Sequence, residues 1–289
     1  MPALAVAPAN TATSTVRQIV HRSRGQTHGP ITRLMSPGDL GEVLKPFVFL
    51  DLFDNGGKPI SGFGLHPHSG IATLTYIAEG SVSYEDTNGA KGVLEAGAVE
   101  WMQAGGGVWH GGGGGRPGRT RGFQLWVALP PHLELDASTS VYQSARDIPV
   151  VGPARVLLGS HAGAASAIIA PSPINYLAVT LIAGERWTYQ PPQGHSVLWI
   201  ATGKGQVATP DVVEEGEIAV FEPGRQAVEF VARSDAEFVL GSAVPHNHEL
   251  VLGYYSVHTS PEALLKGEAN IQAIRRRLVQ QGRRLPNRN

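Results

Sequence analysis

Two stretches of this 289-residue chain repeat one pattern. Thr75-Tyr76-Ile77-Ala78-Glu79-Gly80 corresponds to Leu198-Trp199-Ile200-Ala201-Thr202-Gly203 at an offset of 123 residues. Gly97-Ala98-Val99-Glu100-Trp101-Met102-Gln103-Ala104-Gly105 corresponds to Gly216-Glu217-Ile218-Ala219-Val220-Phe221-Glu222-Pro223-Gly224 at an offset of 119. A period near 120 is far longer than the units of solenoid repeats, which run to about 50 residues. It predicts a duplicated β domain, with a shorter turn in the second copy.

The segments between these anchors support an all-β reading. Residues 46–54, PFVFLDLFD, form an apolar β-prone run that ends in the turn Asn55-Gly56-Gly57-Lys58-Pro59. Residues 71–84 read as a hairpin about Glu79-Gly80, residues 93–102 as a strand broken at Gly97, and residues 123–129 as a strand stopped by Pro130-Pro131. The chain holds 36 Gly and 21 Pro, about a fifth of all residues, which favours many short strands joined by turns. The expected organisation is a flexible leader (1–16), a first β-barrel or sandwich (17–131), a connector (132–153), a second barrel (154–258) and a helical, arginine-rich end (259–289). Ser260-Pro261 reads as an N-cap with proline at the first helical position. Leu264, Ile271, Ile274 and Leu278 then fall on one helical face, and Gly267 is expected to split that helix in two.

Charge and composition exclude several classes. There is no cysteine, hence no disulfide, thiolate metal site or cysteine nucleophile. Six arginines (Arg275, Arg276, Arg277, Arg283, Arg284, Arg288) crowd the last fifteen residues, leaving the rest of the chain acidic. An acidic body is not a nucleic-acid-binding surface, and the arginines read as a solvated helix end that complements the helix dipole. No apolar run reaches the length of a membrane span or a signal-peptide core, so the expected location is cytoplasmic. The glycine runs 105–107 and 111–115 lack the Lys-Ser/Thr of a phosphate loop, and there is no Gly-x-Ser-x-Gly elbow.

Histidine carries the candidate chemistry. In His66-Pro67-His68 the two imidazoles share one face of a strand, and Pro67 puts that strand at an edge or a strand start. His110 follows forty-two residues later, among glycines that permit close backbone approach. Three facial imidazoles suit iron, copper, nickel or zinc and leave positions open for substrate or oxygen. The plainer alternative is three ordinary histidines among eleven. His246-Asn247-His248 reads as surface histidines, and His195 as a hydrogen-bonded turn residue.

The segments Leu65-His66-Pro67-His68-Ser69-Gly70, Glu100 to His110, and Gln124 to Pro130 together resemble the pirin family, in order and spacing, across nearly the whole chain. The resemblance implies a bicupin: two jelly-roll cupin β-barrels, with a metal only in the first, held by His66, His68 and His110. It implies Fe(II) or another divalent metal, and a dioxygenase of the quercetin 2,3-dioxygenase type using O2 on a flavonoid-like or small aromatic substrate. It equally allows a non-catalytic pirin-type regulator with an unidentified protein partner and a weakened or lost metal site. Members of the family carry glutamate two residues after the third histidine, as fourth ligand and general base; here that position is Gly112. A second customary glutamate is Ala72. Glu100 stands where glutamine is usual, and is expected to face outwards or to pair rather than to replace the missing carboxylate. No catalytic residue is assigned. By the two offsets His66 maps to Tyr189, His68 to Pro191 and His110 to Glu229, so no equivalent site is expected in the second barrel.

Overall fold

The computed structural model describes residues 16–59, 62–283 and 285. Most of the expected leader, with Arg284 and Arg288, lies outside the described residues. In chain order the first half contains β1 (Ile19–Ser23), β2 (Gln26–His28), β3 (Ile31–Met35), α1 (Leu40–Leu44), β4 (Phe47–Asp54), β5 (Phe63–His68) and β6 (Ile71–Glu79). It continues through β7 (Ser81–Asp86), β8 (Lys91–Glu95), β9 (Val99–Gln103), β10 (Val108–Gly114), β11 (Arg121–Ala128) and β12 (Thr139–Gln143). A sheet of order β12-β9-β6-β11-β4-β3-β2 faces a smaller one of order β5-β10-β7-β8, and together they form the first barrel.

The second barrel repeats the plan. Its large sheet runs Ile218–Phe221, Val197–Lys204, Ala236–Ala243, Ile174–Leu181, Ala154–Leu158, Val150–Val151, and its small one Arg186–Tyr189, Val228–Ala232, Val207–Thr209, Asp211–Val213. β6 and β9 therefore hold the same places as Val197–Lys204 and Ile218–Phe221, the pairs that the sequence repeat matches.

The two large sheets pack face to face. Phe123, Leu125 and Val127 of β11 and Val99 and Trp101 of β9 point into a core shared with Tyr176, Trp199, Ile218 and Val239 of the second barrel. Phe47 meets Trp199 edge-on with ring centroids 5.3 Å apart. Both are fully buried, each contributing about 1.5–3 kcal/mol of transfer free energy. The central strands β4, β6, β9 and β11 are thus covered on both faces, by the partner barrel on one side and by their own barrel interior on the other. Continuous apolar runs such as PFVFL follow from that double coverage.

Four expectations are corrected. β6 and β7 are not a hairpin: β6 pairs with β9 and β11, while β7 pairs with β8 and β10, so the Glu79-Gly80 turn carries the chain from one sheet to the other. β1 pairs with Ile218–Phe221, at the edge of the second barrel's sheet rather than in the first barrel. Residues 139–143, read as connector, pair with β9 and cover the corresponding edge of the first barrel. The terminal helix, α2 (Pro261–Gln280), is continuous through Gly267. Its cap is as expected, with Ser260 Oγ accepting from Ala263 N at 3.2 Å. Gly267 lies against Ser69 and His258, where an added Cβ would come within 2.6 Å of Ser69 Oγ and 2.4 Å of His258 Nε2. Absence of a side chain there serves packing, not a helix break. Among the described residues no helix is long and apolar enough to cross a membrane.

Candidate metal centre

The pleat of β5 decides which side chains enter the first barrel. β5 is an edge strand, as Pro67 requires, and antiparallel pairing sets His66 opposite His110 and Pro67 opposite Trp109. Leu65 and Trp109 turn outwards onto Leu278 of α2, and Trp109 Nε1 donates to the Ile271 carbonyl at 2.9 Å. With those residues anchored outside, period two sends His66, His68 and His110 inwards.

The three rings converge. Their centroids are 4.5 Å apart for His66–His110 and 5.0 Å apart for His66–His68 and for His68–His110. One donor atom from each lies within 4.8 Å of the others. That spacing is one at which three imidazoles could share a single ion.

Each imidazole has one nitrogen already engaged. His66 Nδ1 donates to the Gly64 carbonyl at 2.9 Å and His68 Nδ1 to the Tyr255 carbonyl at 3.0 Å, while His110 Nδ1 lies 3.4 Å from Glu100 Oε1. For His66 and His68 the carbonyl partner requires Nδ1–H and leaves Nε2 with its lone pair. His110 Nε2 is buried and has no hydrogen-bond partner. Burial, reinforced by the neighbouring imidazoles, pushes His66 down to about 3 and His68 well below the usual histidine range. Two rings are thereby held in the neutral form a metal needs. The donor set fits a divalent transition metal.

Above the histidines lies a cavity of about 370 Å³. Phe49 and Trp126, stacked with centroids 4.0 Å apart, form one wall, and the side-chain-free Gly111–Gly115 stretch forms another. Polar groups enter from the large sheet: Thr75, Glu100, Gln124 and the Arg33–Asp51 ion pair. Burial raises the Asp51 carboxyl above its usual range, with Arg33 opposing that shift.

Glu100 pairs, with His110, and does so facing inwards. It is 4% exposed and points into the barrel. Its neighbours Val99 and Trp101 fill the inter-barrel core, so the alternate position must face the cavity. Gly112 and Ala72 offer no substitute. Ala72 sits in the inter-barrel core, and a Cβ on Gly112 would lie 2.8 Å from the Ser83 carbonyl oxygen.

The site also borrows from the far end of the chain. Tyr255, at φ 55°, lines the cavity and supplies the carbonyl that holds His68. Its segment is clamped to the first barrel: Ser69 Oγ donates to Ser256 Oγ at 2.9 Å and contacts His258 Nε2 at 3.0 Å, and His258 Nδ1 contacts Glu134 Oε2 at 2.9 Å. The chain Ser69–His258–Glu134 has the connectivity of a nucleophile relay, but Ser69 is wholly buried and Gly267 closes over it. It is a structural clamp. No sequence signal marks Tyr255, which lies 187 residues from His68.

Elsewhere the outcomes are mixed. His195 is a buried turn residue bonded to Ser242 Oγ at 2.9 Å, as expected. His246 is buried, against expectation, and burial pushes it down to about 4. Tyr189 bonds Ser242 Oγ at 2.6 Å and Glu229 pairs with Arg186 at 2.7 Å. Among the described residues, His66, His68 and His110 form the one cluster able to hold an ion. The second barrel is filled instead, by side chains such as Leu177, Ile200, Phe221, Phe230 and Phe238.

Comparison with known proteins bears on the family and the fold. The family model described as Pirin matches residues 30–127. A pirin-like protein of Caulobacter vibrioides is 32% identical over 74% of this chain and 81% of that protein. A pirin-like protein of Solanum lycopersicum is 29% identical over 86% of this chain and 88% of that protein. The crystal structure of a quercetin 2,3-dioxygenase from Acinetobacter baumannii superposes with a TM-score of 0.79 at 27% identity, covering 88% of this chain and 96% of that one. The fold is the bicupin that the sequence resemblance implies.

Proposed function

This chain belongs to the pirin family, and from that premise we propose that its first barrel is a metal-dependent dioxygenase centre for a flavonoid-like or other small aromatic substrate. His66, His68 and His110 hold the metal, Fe(II) in the first instance. One observation carries the reading: His110 Nε2 is buried without a partner, beside two imidazoles kept neutral, beneath an aromatic-walled cavity. When bound, Fe(II) supplies Lewis acidity and one-electron chemistry towards O2. The protein's own part is to bind and orient. Phe49 and Trp126 offer a flat apolar wall, Arg33 lies 4.0 Å over the Phe49 ring, and the glycine stretch opposite leaves width for a fused ring system. Tyr255 lines the same cavity, and His68 and His110 are buried at its floor.

One observation favours a second reading, a non-catalytic pirin-type protein that binds an ion or small molecule and acts through a partner. Gly112 offers no carboxylate to accept a substrate proton, a contribution of about 10²–10⁴-fold in rate where present. Metal analysis of protein purified without added ions, compared with His110→Ala, tests the centre: the variant should lose the metal, and retention of stoichiometric metal would refute the ligand set. Oxygen uptake by the Fe(II)-loaded protein with quercetin separates the two readings. Uptake supports the dioxygenase, and none with metal bound supports the binding protein.

A further inference from the structure

A buried carboxylate without a cation is costly unless something supplies the opposite charge. Glu100 is such a group. No arginine or lysine among the described residues forms an ion pair with it within 4.0 Å; the basic side chain that reaches it is His110, with Nδ1 3.4 Å from Oε1. Thr75 Oγ1 lies 3.0 Å from Oε2 and 2.8 Å from Gln124 Oε1, and Tyr142 Oη lies 3.4 Å from Oε1 and 2.8 Å from Asp86 Oδ2. Both hydroxyls are shared with a second acceptor, and neither brings a positive charge to the carboxylate. On the far side of the His110 ring, Nε2 has no partner. The arrangement is a carboxylate, an imidazole and an unfilled donor in line, and outer carboxylates of this kind orient a ligating histidine and raise its basicity.

We propose that Glu100 is the positioning carboxylate of this centre: it holds His110 with Nδ1–H towards its own Oε1 and Nε2 towards His66 and His68, and it supplies from behind the ring the negative charge that Gly112 cannot supply at the ion. The inference rests on the metal-centre reading above but concerns a residue outside the ligand set. Its address follows from the pleat of β9, where Val99 and Trp101 are committed to the inter-barrel core. The second barrel gives an internal comparison. In the repeat Glu100 aligns with Ala219 and Thr75 with Leu198, both packed in that barrel's apolar interior. The carboxylate and its hydroxyl support occur together in the barrel that has the histidines and are both absent from the one that does not.

The test uses the full chain with Glu100→Ala and Glu100→Gln, the latter nearly isosteric and retaining an acceptor oxygen. In metal-free protein, ¹⁵N NMR of the His110 ring should show the Nδ1–H tautomer in the parent, largely kept in Glu100→Gln and lost or mixed in Glu100→Ala. Titration with Co(II), followed by its d–d absorption, should show affinity lowered 10–100-fold in Glu100→Ala, and less in Glu100→Gln, the range typical of outer-shell partners. An unchanged His110 tautomer with parent-like Co(II) affinity in Glu100→Ala would overturn the proposal. If the parent itself binds no Co(II), or His110→Ala binds it equally, the metal-centre reading fails instead. The tautomer measurement, which needs no metal, would still decide whether Glu100 holds His110.

Discussion

Gly112 and Ser83 approach each other across the β10–β7 ladder so closely that a Cβ on Gly112 would lie 2.8 Å from the Ser83 carbonyl oxygen and 3.2 Å from Val82 Cγ1. From sequence alone, restoring glutamate here should raise metal affinity. The structure predicts otherwise, because the obstruction is strand backbone and not a movable side chain. Gly112→Glu should lower stability by about 1–3 kcal/mol, as overpacking does, without a gain in affinity. Thermal melts and Co(II) titration check both halves, and a parent-like melting temperature with tighter binding would contradict the account.

The histidines differ in the demand they make. His66→Ala, His68→Ala and His110→Ala should each abolish stoichiometric metal, whereas His195→Ala in the second barrel should leave it at parent level while costing stability through its lost bond to Ser242. Metal content measured after gel filtration distinguishes them. Loss of metal in His195→Ala would place an ion in the second barrel and refute the assignment.

Gly267 sets helix propensity against packing. Alanine in a helix interior is favoured over glycine by about 1 kcal/mol. Here its methyl would meet His258 Nε2 at 2.4 Å and Ser69 Oγ at 2.6 Å. Overpacking of this kind costs about 1–3 kcal/mol, so Gly267→Ala should be net destabilising. It should also loosen the Tyr255 segment that holds His68. A raised melting temperature would show that the clamp yields easily.

Acid should weaken the metal-free fold before its carboxylates titrate. Burial holds His246 down to about 4, and also lowers His195 and His258, the last against the opposing pull of Glu134. Unfolded, these histidines titrate near 6.5. Below that pH the unfolded chain binds more protons than the folded one, so stability is fully present above about 6.5 and falls as pH drops towards 4.5. Urea midpoints at pH 8.0, 6.5 and 5.0 should decline in that order, and a flat or rising series would refute the burial of these groups.

The clamp itself can be cut at Glu134, which is buried and receives bonds from Thr259 N at 2.8 Å and from Thr259 Oγ1 at 2.6 Å besides contacting His258. Glu134→Ala should cost about 1–3 kcal/mol for each buried donor left without an acceptor. It should also lower metal affinity, because the Tyr255 carbonyl would no longer be held against His68. Denaturant melts with Co(II) titration of the folded fraction test the coupling, and lost stability with unchanged affinity would separate the clamp from the centre.

Local chemistry written into the chain settled a good deal. The matched segments at offsets of 123 and 119 reveal the duplication, because each copy must build the same strand in the same place. Alternation along a strand puts His66 and His68 on one face, Pro67 confines that strand to an edge or a strand start, and Ser260-Pro261 starts the last helix, since these effects act within a few residues. The inward direction of Glu100 is not legible in the sequence, for a reason of a different kind. On a sheet with one wet face an isolated glutamate points to water, but this sheet has none: the second barrel covers the face that would otherwise be outside, and Trp101 already fills it. Only the assembly of the two barrels decides that a carboxylate enters the cavity. The same holds for Tyr255 and for β1, whose partners lie across the molecule and leave no periodic trace, because a contact between distant segments is set by how the barrels pack and not by either segment's own residues.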